Sequence, residues 1–150
     1  MSLSIASKPA VEFMTARFGL LSVDEDKIIH FVNGLPGFRN LRKFILLDHD
    51  GEGTFKWLQS IEEANVAFLM TNPALFKPDY TVPLKRPEIE GLAVGDPSAL
   101  VSFVMVCVSR VTKELSLNLK GPVVFNSENM RAIQCIIDRE DYPSHFVIKA

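Results

Sequence analysis

A chain of 150 residues with 47% apolar and 23% charged residues has the composition of one folded domain and excludes a disordered polymer. Its net charge of −2 leaves no overall electrostatic footprint for nucleic acid, so a nucleic-acid partner is disfavoured unless a local basic patch exists. The start of the chain lacks a basic segment followed by an apolar stretch, and the longest apolar run, 99–108, is about half of the ~20 residues a membrane span needs. The expected setting is therefore the cytoplasm, without a membrane partner.

In chain order, residues 1–10 read as a flexible tail and 11–150 as a single domain. Residues 11–18 and 20–23 are strand-like and joined through Arg17-Phe18-Gly19, while Asp24-Glu25-Asp26 reads as a solvated hairpin tip. Two apolar runs, 27–31 and 43–47, flank Gly34-Leu35-Pro36-Gly37-Phe38. Pro36 presets the negative φ of a type II turn and Gly37 accepts its positive φ. Leu35 and Phe38 would be wasted in water, so the spacing predicts a packed corner between strands.

The polar loop 48–53 contains Asp48-His49-Asp50, but no second cluster completes a metal shell, and a turn accounts for it. A strand over 55–59 carries the only tryptophan, Trp57, and Ser60-Ile61-Glu62-Glu63 fits a capping box opening a single helical turn to Asn65. The run 66–71 is strand-like until Asn72-Pro73 breaks it, and 73–76 makes a short helical turn. Prolines at 73, 78, 83 and 87 then exclude a central strand or a long helix. The strongest strand is 100–110, followed by the period-two segment 115–119, a corner at Gly121-Pro122, and shorter runs at 123–125, 131–138 and 146–148. Cys107 and Cys135 lie within apolar runs without metal-ligand spacing and read as reduced, buried small hydrophobes. About ten short strands predict an all-β fold, one small antiparallel barrel-like domain with one or two short helical turns.

No nucleophile elbow, phosphate loop, dinucleotide fingerprint or zinc-protease motif is present, and His30, His49 and His145 stand in no motif setting. The expectation is a non-enzyme without metal or cofactor. A binding module remains. One form is a barrel whose edge takes up an extended segment by main-chain pairing, with Gln59, Asn118 and Asn126 supplying fixed hydrogen bonds. From the residues alone the preferred role of these three is to tie buried loop backbone. The alternative form is a single-stranded nucleic-acid-binding barrel. A hydrolase built on His49 or His145 ranks third.

An ordered set of short motifs carries more information than any one of them. Arg17-Phe18-Gly19 with Val23-Asp24, the Gly34–Phe38 core, Trp57-Leu58-Gln59-Ser60, Ala67-Phe68, Asn72-Pro73 with Tyr80, Leu117-Asn118-Leu119 with Pro122 and Asn126, and Gln134 with Tyr142 span residues 17–142. In this order they resemble the flagellar assembly factor family, FliW. Gly121 stands where that pattern usually has alanine, and Ala132 where glycine is common. The resemblance implies a cytoplasmic β-barrel without catalytic activity that binds flagellin near its C-terminal end as a chaperone. It further implies binding to the RNA-binding regulator CsrA, relieving its repression of flagellin mRNA translation, with free flagellin competing for the factor. On that basis Gln59, Tyr80, Asn118 and Asn126 are expected to contact partners. Gly34, Pro36, Gly37, Phe38, Trp57 and Pro122 are expected to be structural.

Overall fold

In a computed structural model of the chain, residues 9–49, 51 and 53–148 are described; most of the expected tail, and Asp50 and Glu52 of the polar loop, lie outside them. Among the described residues, eleven strands account for most of the regular structure: β1 (Ala10–Thr15), β2 (Gly19–Asp24), β3 (Ile29–Phe31), β4 (Lys43–Asp48), β5 (Phe55–Ser60), β6 (Ala67–Thr71), β7 (Leu100–Val108), β8 (Leu115–Leu117), β9 (Val123–Asn126), β10 (Arg131–Gln134) and β11 (Phe146–Ile148). One α-helix, α1 (Arg86–Gly91), and three 3₁₀ turns complete them.

The sheet runs β11-β8-β7-β6-β5-β4-β3-β10-β9, and a further pairing of β7 with β9 closes seven of these strands into a barrel. Closure depends on the length of β7, which pairs with β9 over Leu100–Phe103 and with β8 over Val106–Val108. Between those two partners, residues 118–122 leave the ladder at the expected Gly121-Pro122 corner. One pairing departs from the antiparallel expectation: β3 and β10 run parallel, with His30 opposite Arg131 and Phe31 opposite Ala132. About 100 residues of chain separate these two strands, long enough for the crossover that a parallel pair requires.

Alternation along the strands sorts side chains to the two faces of the wall. Phe31, Phe44, Leu58, Met70, Phe103 and Phe125 fill the barrel interior. Ile45 points outward on β4, where Phe13 of the separate β1–β2 hairpin and Ile28 cover it. On the far side, Tyr80 and Tyr142 pack with Val104, Leu117 and Leu119 in a second layer outside β7.

Several local expectations are corrected. Asp24-Glu25-Asp26 is no hairpin tip: the chain leaves β2 at Asp24 and makes a 3₁₀ turn, Glu25–Lys27, toward β3. Ser60 does accept the N–H groups of Glu62 and Glu63 at 3.1 and 3.0 Å, but no helix follows. The carboxylate of Glu62 instead accepts from the backbone N–H groups of Arg42 and Lys43, beside it at the start of β4, at 2.7 and 2.8 Å. Cys107 is exposed, on the part of β7 that pairs with β8 but no longer with β6, whereas Cys135 is buried. The proline-rich stretch also contains α1, with Pro87 in its first turn and Glu88 accepting from the N–H of Lys85 at 2.7 Å.

Candidate functional site

The strand pattern opens the barrel wall at one seam. β6 and β7 pair only through Met70 with Met105 and Thr71 with Val104, although continued register would set Ala67 opposite Val108. In an antiparallel ladder, alternate residues direct their main-chain groups to opposite neighbours. The N–H of Ser60 donates to Val66, which fixes the β5–β6 phase and turns the N–H and C=O of Ala67 away from β5. The N–H of Asn118 donates to Met105, which by the same reasoning turns Val108 away from β8. Two short lengths of strand edge therefore face a groove of about 500 Å³. Its lining includes Trp57, Phe68, Leu69, Val106, Asn118 and His145, and no Asp, Glu, Lys or Arg.

Trp57 forms one wall of the groove and is held from outside. The guanidinium of Arg17, at the tip of the β1–β2 hairpin, sits 4.0 Å above its ring, and Phe18 meets it edge-on at 6.5 Å. Its indole N–H donates to Nδ1 of His49 at 3.0 Å. Asn118 lies across the groove, where its side-chain oxygen accepts from the N–H groups of Lys120 and Gly121, each at 3.2 Å. A Cβ on Gly121 would come within 3.1 Å of the Asn118 amide nitrogen and 2.9 Å of that of Gln134, so the bare glycine leaves room for both.

The other three residues expected to contact partners lie apart from this groove and are buried. Gln59 is 0% exposed, and its amide donates to the carbonyls of Ser60, Ala64 and Val66. Tyr80 donates its hydroxyl to the Leu119 carbonyl at 2.6 Å, and burial raises its pKa above the ordinary phenol value. Asn126 is 1% exposed and donates to the carbonyls of Leu92 and Ala93 while accepting from Glu128 N–H. Apart from the Gln59 side-chain oxygen, which is buried without a hydrogen-bond partner among the described residues, their polar side-chain atoms are engaged with the chain's own backbone. What sequence reasoning missed is the gap beside Asn118, because a seam between strands leaves no mark in either strand's composition.

The residues expected to be structural, Trp57 apart, are not part of the groove's lining. The N–H of Phe38 donates to the Leu35 carbonyl at 2.8 Å, and Gly37 has φ +83°, the geometry of a type II turn. Leu35 is buried, while Phe38 is 40% exposed and rests edge-on against Phe68 with ring centroids 5.6 Å apart. Pro36 is exposed, and Pro122 is buried, accepting from the N–H of Cys135 at 2.8 Å. Among the described residues, no cluster of His, Cys, Asp and Glu could hold a metal ion, and no helix is long and apolar enough to cross a membrane.

Comparison with known proteins gives this architecture a family. The family model described as FliW protein matches residues 12–148. The chain belongs to the FliW family. It is 38% identical over 133 residues to the flagellar assembly factor FliW of Caldanaerobacter subterraneus subsp. tengcongensis, covering 88% of this chain and 89% of that protein. To the flagellar assembly factor FliW of Alkaliphilus metalliredigens it is 36% identical over 137 residues, covering 90% and 85%. A crystal structure of the flagellar assembly factor FliW superposes with a TM-score of 0.83 at 25% identity, covering 93% of this chain and all of that one. The strand-rich barrel is thus the fold of this FliW-family protein.

Proposed function

We propose that this chain is a non-enzymatic cytoplasmic factor that binds flagellin as a chaperone and binds CsrA, relieving the repression of flagellin mRNA translation. Its membership of a family of flagellar assembly factors supports a flagellar role. The observation that carries the binding mode is the seam between β6 and β7. There the main-chain groups of Ala67 and Val108 face an uncharged groove, where an extended segment would gain ladder hydrogen bonds and bury its apolar side chains. In this reading Asn118 and Trp57 border the bound segment directly. Gln59, Tyr80 and Asn126 act at one remove, by fixing the loops around the barrel.

The test is a calorimetric titration of the protein with flagellin, with CsrA and with a short single-stranded RNA. Binding to both proteins and not to RNA is expected. Val108→Pro removes a main-chain donor that faces the groove at an exposed strand end, where proline is tolerated. It should weaken the segment that docks there by about tenfold or more, a cost of about 1.4 kcal/mol, without lowering the unfolding midpoint. Binding to RNA alone, falling steeply with salt, would favour the nucleic-acid reading and sink this one.

A further inference from the structure

The barrel has a second place where paired strands part, and its chemistry is the opposite of the first. β3 and β10 are in register only at His30–Arg131 and Phe31–Ala132. Beyond them the chain turns into Gly34–Phe38, and the separation leaves a groove of about 420 Å³ lined by Asn33, Gly34, Leu35, Pro36, Arg39, Arg42, Ile133 and Gln134. On the other side of Arg42 lies a further hollow of about 380 Å³ that includes Lys43 and Arg131. Neither lining contains an aspartate or glutamate. On a chain of net charge −2, four cations (Arg39, Arg42, Lys43 and Arg131) are gathered on one face.

We propose that this face, floored by the Gly34–Phe38 turn, is a docking surface for an extended acidic segment of a partner protein. Charge complementarity selects the sign. None of the four cations is in an ion pair among the described residues. Glu62, the acid that approaches from β5, is committed to the backbone N–H groups of Arg42 and Lys43.

Main-chain geometry selects the form. Cys135 N–H donates to Pro122 and Val32 N–H to Ala132, so the ladder phase turns the N–H and C=O of Gln134 toward the space that β3 has vacated. The carbonyl of Val32, which a continued ladder would have used, accepts instead from the Arg42 guanidinium at 3.4 Å. A polypeptide strand can use such an edge. A single-stranded nucleic acid would need a run of exposed rings for successive bases, and of the two aromatic rings in these linings Phe31 is 1% exposed, which leaves His30 alone to stack a base. The surface also has an end: past His30 the lining turns acidic, with Glu25, Asp26 and Glu128. An occupant should therefore carry its acids toward Arg39 and Arg42 and be neutral or basic toward His30.

This surface is separate from the β6–β7 groove, and its test does not depend on which proteins bind there. A short fluorescent peptide alternating glutamate and valine is titrated against the whole protein by anisotropy. A glutamine-for-glutamate peptide and a short single-stranded RNA serve as competing probes. The acidic peptide is expected to bind, more weakly as salt rises. The double variant Arg39→Gln/Lys43→Gln should lose about tenfold in affinity while keeping the wild-type unfolding midpoint, and Lys113→Asn in the β7–β8 turn should bind as wild type. Absence of binding, equal binding of the glutamine peptide, tighter binding of the RNA, or indifference to the double variant would each overturn the proposal.

Discussion

At the scale of single residues, Gly34 and Gly37 look alike in sequence and differ in the fold. Both have positive φ, +69° and +83°. A Cβ on Gly37 would meet nothing within 4 Å, whereas one on Gly34 would lie 2.6 Å from the carbonyl oxygen of Arg39. Gly37→Ala should therefore cost only the backbone strain of a left-handed residue, about 1–2 kcal/mol. Gly34→Ala should cost more, since backbone rather than a movable side chain must give way; chemical denaturation of both variants ranks them. Cys135 supplies a pH dependence. Burial, with the Glu88 carboxylate as the next cause, pushes its thiol up from 9.0 to about 12. The folded state thus keeps a proton that the unfolded state releases above pH 9, so this stabilisation is complete below pH 9 and is lost as pH rises toward 12. Between those limits wild type should lose more stability than Cys135→Ala, as read from urea midpoints. At neutral pH a thiol reagent should modify Cys107 alone in the folded protein.

At the scale of elements, the β1–β2 hairpin is a distinct unit, since its strands pair only with each other. Phe13 anchors it over Ile45, and Arg17 and Phe18 at its tip touch Trp57. Phe13→Ala removes a ring that is 8% exposed, for a loss of about 3 kcal/mol. It should also release the hairpin tip, so the fluorescence of Trp57, the only tryptophan, should change in the native baseline before the main transition begins. An unchanged baseline would mean that the tip holds the indole without its anchor. Segment 86–99 is tied differently, through Asn126 and Asn129, whose amides donate to the Leu92 carbonyl at 3.1 and 3.0 Å. Those two residues act as a clasp where no strand pairing exists.

At the scale of the whole molecule, closure is non-local. β3 must find β10, and β7 must find both β9 and β6, before the interior around Phe44 and Phe103 is sealed. Chain entropy has to be lost before these contacts form, so folding should take milliseconds to seconds and not microseconds; stopped-flow fluorescence of Trp57 measures it. The same closure places the neutral seam beside β6 and the cationic seam beside β3 at different points of one wall. The two seams therefore present opposite chemistry on separate surfaces of the barrel.

Most of this architecture is legible in the sequence. Glycine and proline punctuation, apolar alternation and the type II turn depend on forces acting within a few residues, so strands such as 146–148 and the corner at 34–38 could be read directly. The ordered motifs reached the family for the same reason. What a residue faces is a different question, because it depends on chain far away in sequence. The residues alone favour backbone ties for Gln59 and Asn126 but do not say which backbone, and the tertiary fold supplies it by bringing Ala64 and Leu92 to them. The parallel pairing of β3 with β10, the exposure of Cys107, the gap between β6 and β7 and the gathering of Arg39, Arg42, Lys43 and Arg131 are all products of closure. The sequence by itself determined the elements and the family; only the tertiary structure decided which edges stay unpaired and which charges meet, since both depend on register between distant strands.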